Sequence, residues 1–280
     1  MVTPLQDIFV FDIETIPDVE AASALTECDS CDPKELFKAL TDYHLEITQG
    51  KNAFLRQPFH KVVAISFLEA SIERTPDGKE QYHLNVLRSG GTEESDEKAL
   101  IQGFFSHLSK KCPRLVSYNG RMFDLPVLKY RAMKYGVSAE WLYKTGDKWE
   151  NYSKKWSLEW HCDLIDALSD FGASAKVKMN EVCSILGFPG KVGIDGSKVF
   201  DLYLDGEIKS IRDYCETDVL NTYLVYLRYN LFCGKISIEG YNNSIEQIKT
   251  LLQENDGEQD HFIEFYRCWN ETSGGNIFMP

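Results

Sequence analysis

The stretch LQDIFVFDIETIPD, residues 5–18, opens as an apolar run and closes in carboxylates. Leu5 to Phe11 suits a buried strand, with Asp12 and Glu14 at its C-terminal end. Side chains two apart on a strand point to the same face, so these carboxylates would project side by side. Like charges that close repel each other unless a cation lies between them. The pattern alone says nothing, because Asp-x-Glu recurs at 18–20, 205–207 and 256–258. Only the copy at 12–14 follows a strongly apolar strand.

Working outward, Lys61–Glu69 (KVVAISFLE) and Gln81–Arg88 (QYHLNVLR) are strand-like and joined across a Thr-Pro-Asp-Gly turn at 75–78. Ser95–Lys111 has helical spacing through Leu100, Ile101, Phe104, Phe105 and Leu108. Arg114–Tyr118 is a short strand, and Asp124–Tyr135 a helix that tolerates Pro126 in its first turn. His161–Asp166 supplies a last strand leading into a short helix, and Glu207–Leu231 is a long amphipathic helix. Residues 19–58 form an irregular, partly helical excursion, and two further helices are expected around 243–254 and 258–271. Hairpin strands followed by strand–helix alternation give an α/β fold, one mixed five-stranded sheet flanked by helices. No repeat, Pro-rich linker or charge block divides the chain, so residues 1–280 read as a single domain with a core at about 5–232 and C-terminal helices within 243–271.

The chain has 280 residues and a formal net charge of −13, with 30 Lys and Arg against 43 Asp and Glu. Hydrophobic residues make up 43% and charged residues 26%, which excludes disorder as the dominant state. This length excludes a complete multidomain polymerase, and the acidity argues against holding nucleic acid on a general basic face. No stretch of signal-peptide length precedes Asp12, and no window approaches ~18 consecutive apolar residues, so no membrane partner is expected. Eight cysteines, at 28, 31, 112, 162, 183, 215, 233 and 268, are read as free thiols of a reducing cytoplasm. Cys28 and Cys31 form a CxxC without a second pair at zinc spacing, which fits a surface loop better than a metal site.

Two more segments carry acids in informative places. In SYNGRMFD, residues 117–124, a strand ends, Gly120 permits a tight turn, and Asp124 begins a helix. Asp124 taken alone reads equally well as a helix cap. In YCETD, residues 214–218, Tyr214 and Asp218 share a helix face at i and i+4, among Ile208, Ile211, Val219, Leu220 and Tyr223. A second Tyr-x-x-x-Asp, Tyr143–Asp147, carries Gly146 in a polar segment and is set aside.

Together these elements resemble the DEDD (DnaQ-like) 3′–5′ exonucleases, in the subclass with Tyr in the third motif. DIET at 12–15, YNGRMFD at 118–124 and YCETD at 214–218 look like the three motifs in the family's order. The branch related to the exonuclease domain of family B DNA polymerases is the most similar. KVVAIS at 61–66, HCDL at 161–164, LGFPGK at 186–191 and DVLNTY at 218–223 also look like that branch. The resemblance covers roughly residues 5–232 and implies a ribonuclease H-like fold; the main departure is the insertion-like stretch at 19–58.

The resemblance implies a stand-alone 3′–5′ exonuclease that removes nucleotides from single-stranded 3′ ends by two-metal phosphodiester hydrolysis. Carboxylate ligation favours two divalent cations, Mg²⁺ or Mn²⁺, over zinc. By resemblance, Asp12, Glu14 and Asp218 would hold the cation that activates water, Asp12 would bridge to the second, and Asp124 would act on that second one. Tyr214 would position the attacking water; a phenol with a reference pKa of ~10 is a poor base, so the rate should climb toward alkaline pH. Asn119 and Phe123 would hold the terminal nucleotides, and Thr15 and Ile16 would line their pocket. Lys191 and Arg121 are read as phosphate contacts or solvated charges, Asp163 as a supporting group, and His161 as a locally bonded strand-end histidine.

DNA is the expected substrate; an exoribonuclease of the same fold or a non-catalytic nucleic-acid-binding module are the alternatives. An endonuclease or integrase of ribonuclease H-like architecture would carry its acids in another order and lack the Tyr-x-x-x-Asp helix. DNA and RNA differ at the 2′ position, which these residues do not resolve. Proofreading would need a polymerase or repair partner that the sequence does not identify.

Overall fold

The computed structural model describes residues 5–193, 195–254 and 259–278. Strand β1 runs Asp7–Pro17, β2 His60–Arg74, β3 Glu80–Ser89, β4 Arg114–Ser117 and β5 His161–Asp163. Helices, in order, are α1 (Val19–Leu25), α2 (Pro33–Ile47), α3 (Glu97–Lys111), α4 (Asp124–Tyr135), α5 (Trp141–Lys144), α6 (Leu164–Leu168), α7 (Met179–Leu186), α8 (Val199–Leu204), α9 (Ile208–Phe232), α10 (Ile238–Gln253) and α11 (Asp260–Asn270). The five strands form one sheet in the order β3-β2-β1-β4-β5. The β1–β2 and β2–β3 pairs are antiparallel; β1–β4 and β4–β5 are parallel. This is the mixed α/β sheet that the strand pattern predicts, on the ribonuclease H-like plan.

The central strand is longer than its apolar run. β1 continues through both carboxylates to Pro17, because β2 stays paired with it over that whole length. On its other side β4 pairs only with Ile8, Phe9 and Val10. Beyond Val10 that flank has no strand, so Asp12 and Glu14 stand at a notch in the sheet. Strands β2 and β3 likewise outrun the expected segments, since residues 70–74 pair with 80–84 around the turn at Gly78, whose φ is +83°.

Alternation along β1 separates two layers. Ile8 and Val10 face α9, α10 and α11, where Leu220, Leu224, Ile245 and Phe265 close a large apolar core. Phe9, Phe11 and Ile13 face α3 and α4 through Phe104, Phe105, Val127 and Leu128. Asp12 and Glu14 continue the first face and therefore look at α9. Each layer buries what periodicity assigns to it.

The excursion at 19–58 is more regular than its sequence suggests. It contains α1 and α2, held by a small cluster of Ala22, Leu36, Leu40 and Leu55. Asp32 caps α2 by accepting from the Lys34 amide at 2.9 Å. The tail helices begin differently from expectation: Ser237 caps α10 by accepting from the Gly240 amide, so that helix starts at Ile238. The Asp256–Glu258 copy of Asp-x-Glu and the expected start of the last helix at 258 lie outside the described residues, as do residues 1–4. Cys31 is exposed and Cys28 half-buried; all eight thiols are free. Among the described residues no helix is long and apolar enough to cross a membrane.

Candidate active site

Four acids from three elements meet at the notch: Asp12 and Glu14 from β1, Asp124 from the first turn of α4, and Asp218 from α9. Glu14, Asp124 and Asp218 are buried, and Asp12 is half-buried. Carboxylate oxygens of Asp12 and Glu14 and the Cys215 sulfur lie within 4.8 Å of one another, a possible acidic metal site. Asp124 is not a helix cap. Phe123 occupies the N-cap position, and Asp124 Oδ1 instead accepts the backbone amide of Ile13 at 3.3 Å, tying α4 to the strand between the two β1 acids.

Burial pushes all four carboxyls up, and Asp12, Glu14 and Asp124 each feel at least one of the others. Asp12 and Glu14 are driven well above the usual carboxylate range, by burial first and then by their acidic neighbours. Asp124 rises to about 7 and Asp218 to about 6, again chiefly through burial. Two influences oppose the trend at Asp218: the Tyr214 hydroxyl hydrogen-bonds to it, and Lys191 lends positive charge. Tyr214 itself is held above its ordinary range by burial and by these acids, so its phenol stays protonated and neutral. Among the described residues no Lys or Arg forms an ion pair with any of the four acids. The buried Asp218 Oδ1 has no hydrogen-bond partner. A set of carboxylates with an orphaned buried oxygen fits a divalent cation, which is the group that would satisfy both.

The surrounding residues explain how the motifs are held. Asp163 accepts the amides of Asn119 and Arg121, both at 2.8 Å, so HCDL shapes the turn that delivers Asp124. Asn119 sits there at φ +73°, a conformation asparagine tolerates better than most residues. Gly120 is required by space: a Cβ there would lie 2.4 Å from Ser117 Oγ. Buried His161 bonds Ser117 Oγ at 2.8 Å, and burial pushes its pKa well down, consistent with its local reading. Asn221 clamps Gly190 from both sides, accepting its amide at 3.0 Å and donating to its carbonyl at 2.7 Å. That clamp fixes LGFPGK against α9 and brings the following loop to Tyr214, where a Cβ on Gly196 would lie 3.8 Å from the phenol oxygen.

The softer expectations fare unevenly. Arg121 is half-buried and donates to the His161 carbonyl at 2.9 Å, so one end of its guanidinium is engaged inside the protein. Lys191 pairs with Asp195 at 3.1 Å and acts on the acids through its field. Ile16 is buried in a cluster with Tyr214 and Ile211. Half-buried Phe123 meets the His60 ring edge-on at 4.8 Å, and Thr15 Oγ1 bonds His60 Nδ1 at 2.9 Å. Sequence reading passed over His60 and Cys215. Cys215 donates to the Asp12 carbonyl at 3.4 Å, and its signal was its place inside YCETD, one turn from Asp218.

Residues 52–269 match the family described as "Predicted 3'-5' exonuclease related to the exonuclease domain of PolB". The chain belongs to that family. The matched span takes in Asp124, Tyr214 and Asp218 and reaches into α11, while β1 lies outside it. Asp12 and Glu14 therefore join the other acids through the fold. The chain is also similar to the catalytic subunit of DNA polymerase epsilon from Dictyostelium discoideum, 28% identical over 148 residues. It is 23% identical over 141 residues to the protein of the same name in Emericella nidulans. Each match covers 49% of this chain and 6% of the relative, so the chain spans a small part of the curated proteins it matches.

Proposed function

We propose that this PolB-type exonuclease domain hydrolyses phosphodiester bonds one nucleotide at a time from the 3′ end of single-stranded nucleic acid, DNA ahead of RNA. The observation that carries the reading is the convergence of four acids that no cationic side chain neutralises among the described residues. Asp12, Glu14, Asp124 and Asp218 would hold two divalent cations, and an oxygen-rich donor set favours Mg²⁺ or Mn²⁺. Such ions, when bound, lower the pKa of water and offset the negative charge of a phosphodiester.

The chain's own groups then divide the work. Asp12, Glu14 and Asp218 are the set on which the water-activating ion would sit, and Asp12 and Asp124 would hold the ion that offsets charge on the leaving 3′ oxygen. Tyr214 orients the attacking water by a hydrogen bond. Its phenol is held above the ordinary range, so it stays protonated and does not act as a base. Asn119, Phe123, Thr15 and the Ile16 backbone surround the terminal nucleotides. Relatives that are polymerase catalytic subunits favour DNA. A proofreading role would place this domain beside a polymerase or repair partner.

Digestion of 5′-labelled single-stranded DNA and RNA oligomers with Mg²⁺ or Mn²⁺, beside a chelator control, tests this. A ladder shortening from the 3′ end and a rate climbing toward alkaline pH are expected. Asp218→Ala should lose more than the ~10–100-fold typical of residues that merely support metal ligands. Cleavage at internal sites, a rate that falls above neutrality, or full activity in Asp218→Ala would overturn the assignment.

A further inference from the structure

We infer that Phe54, delivered by the excursion at 19–58, is a nucleobase-stacking residue of this site; the inference rests on the exonuclease reading. The Phe54 ring is 60% exposed although it neighbours a well-packed region. It leans on His60 with ring centroids 5.3 Å apart and on Phe123 at 5.8 Å. Both partners adjoin the acids. Phe123 directly precedes Asp124, and His60 is bonded to Thr15, which follows Glu14. Exposed Phe54 and half-buried Phe123 therefore form one aromatic face backed by the buried His60 ring, carried on segments that continue directly into two of the carboxylates.

The surrounding loop is built to hold that ring outward. The Phe54 amide donates to Asn52 Oδ1 at 2.9 Å, and Thr48 Oγ1 donates to the Asn52 carbonyl at 2.9 Å. The Arg56 amide donates to His44 Nε2 at 3.2 Å, anchoring the segment on α2. Gln57 Nε2 donates to the Met122 carbonyl at 3.0 Å, and the Asp18 amide donates to the Phe59 carbonyl at 2.8 Å. One segment is thus tied to both flanks of the acids. Its inward anchor is the neighbouring residue: Leu55 is buried in the small cluster, whereas Phe54 contributes nothing to it.

His60 supports a stacking surface and not a charged one. Its Nε2 faces the Leu55 carbonyl at 3.0 Å, so the proton sits there, and Nδ1 accepts from the Thr15 hydroxyl. An uncharged aromatic surface beside a charged site fits the faces of bases, which stack on aromatic rings irrespective of sequence. A paired 3′ end keeps its bases in the duplex stack and would have to unpair before reaching Phe54. The occupant is one of the last two nucleobases of a single strand.

The test measures digestion of a short single-stranded DNA by the wild type, Phe54→Ala, Phe54→Leu and Phe54→Trp. Stacking worth ~1–3 kcal/mol per base predicts a ~5–150-fold higher KM for Phe54→Ala, with a smaller change in kcat. Phe54→Trp should retain the wild-type KM, and Phe54→Leu, equally apolar but not aromatic, should resemble the alanine variant. Replacing the base with an abasic unit at one of the two 3′-terminal positions should erase the difference between wild type and Phe54→Ala. Equal KM values on the intact strand, or the same deficit with abasic units at both positions, would overturn the inference alone. A wild type that digests nothing would overturn the exonuclease reading and this inference with it.

Discussion

Two groups of buried acids in this molecule have opposite electrostatic fates. Asp18 and Glu97 are sunk beneath α4, and both are paired to Arg131 on that helix. Glu97 also accepts the Val62 amide at 2.7 Å and the Tyr135 hydroxyl at 2.6 Å. Burial works against Asp18, yet the bond to Arg131 holds its carboxyl below the usual range. The Asp12, Glu14, Asp124 and Asp218 group holds more carboxyls and, among the described residues, receives no such guanidinium. Asp18 belongs to the same DIETIPD run as Asp12 and Glu14, so a few residues of one segment feed both groups. A structural acid comes with its own cation; the site acids leave that role to something the chain does not supply.

Removing the built-in cation should have the largest effect on stability. Arg131→Ala would leave Asp18 and Glu97 buried and unpaired, at a cost of ~3–5 kcal/mol, or a fall in Tm of ~6–15 °C. Denaturant and thermal unfolding would measure it, and a loss under ~1 kcal/mol would erase the contrast between the groups.

At the site the sign reverses. Asp124→Asn keeps an oxygen to accept from the Ile13 amide but removes one of the crowded charges. In chelator at pH 8 this variant should be more stable than the wild type by roughly 1–4 kcal/mol, following the upward shift of Asp124 to about 7. Its nuclease activity with Mg²⁺ should collapse at the same time. A variant that is destabilised in chelator would mean that Asp124 is held by contacts and not opposed by its neighbours.

The smallest effect is a tilt with pH. An acid whose folded pKa is raised binds protons that the unfolded chain has already shed. Asp218, at about 6, and Asp124, at about 7, therefore make the chelated protein lose stability as pH rises from ~4 to ~7, and the raised Asp12 and Glu14 add to the loss in the same direction. Glu80 behaves oppositely. Despite burial, Arg114 holds it down at about 2, so its contribution is present above pH ~4.5 and fades as pH falls toward 2. Urea midpoints at pH 5 and 8, with chelator and with Mg²⁺, separate the two: the ion should remove the decline between those values. A decline of equal size with and without Mg²⁺ would place the titrating groups elsewhere.

Much of this contrast was legible in the sequence, for reasons of period. Asp12 and Glu14 two apart on a strand, and Tyr214 and Asp218 four apart on a helix, declare a shared face before any tertiary structure exists. The five strands were legible from their apolar runs. The notch was not, because where β4 stops pairing with β1 depends on partners distant in sequence. The bond from Arg121 to the His161 carbonyl was hidden for the same reason, because it joins residues distant in sequence. The excursion at 19–58 resisted reading because its core is only Ala22, Leu36, Leu40 and Leu55, too few positions to set a clear period. Phe54 gave no signal, since an exposed aromatic in a loop has no periodicity.

The grip of β2 on β1 has a consequence for folding as well as for the site. The two strands are paired from Asp7 to Pro17, with a single irregularity between Glu14 and Thr15. Sliding one strand past the other by a single residue would swap inside and outside all along β1. Phe11 and Ile13 would then be aimed at α9, and both carboxylates would be pressed into the apolar layer of α3 and α4. A misaligned chain would thus lose the candidate metal ligands at the same stroke as it spoiled its packing. If the proposed hydrolysis holds, turnover would double as an assay of strand alignment, since only chains folded in the right frame could cut.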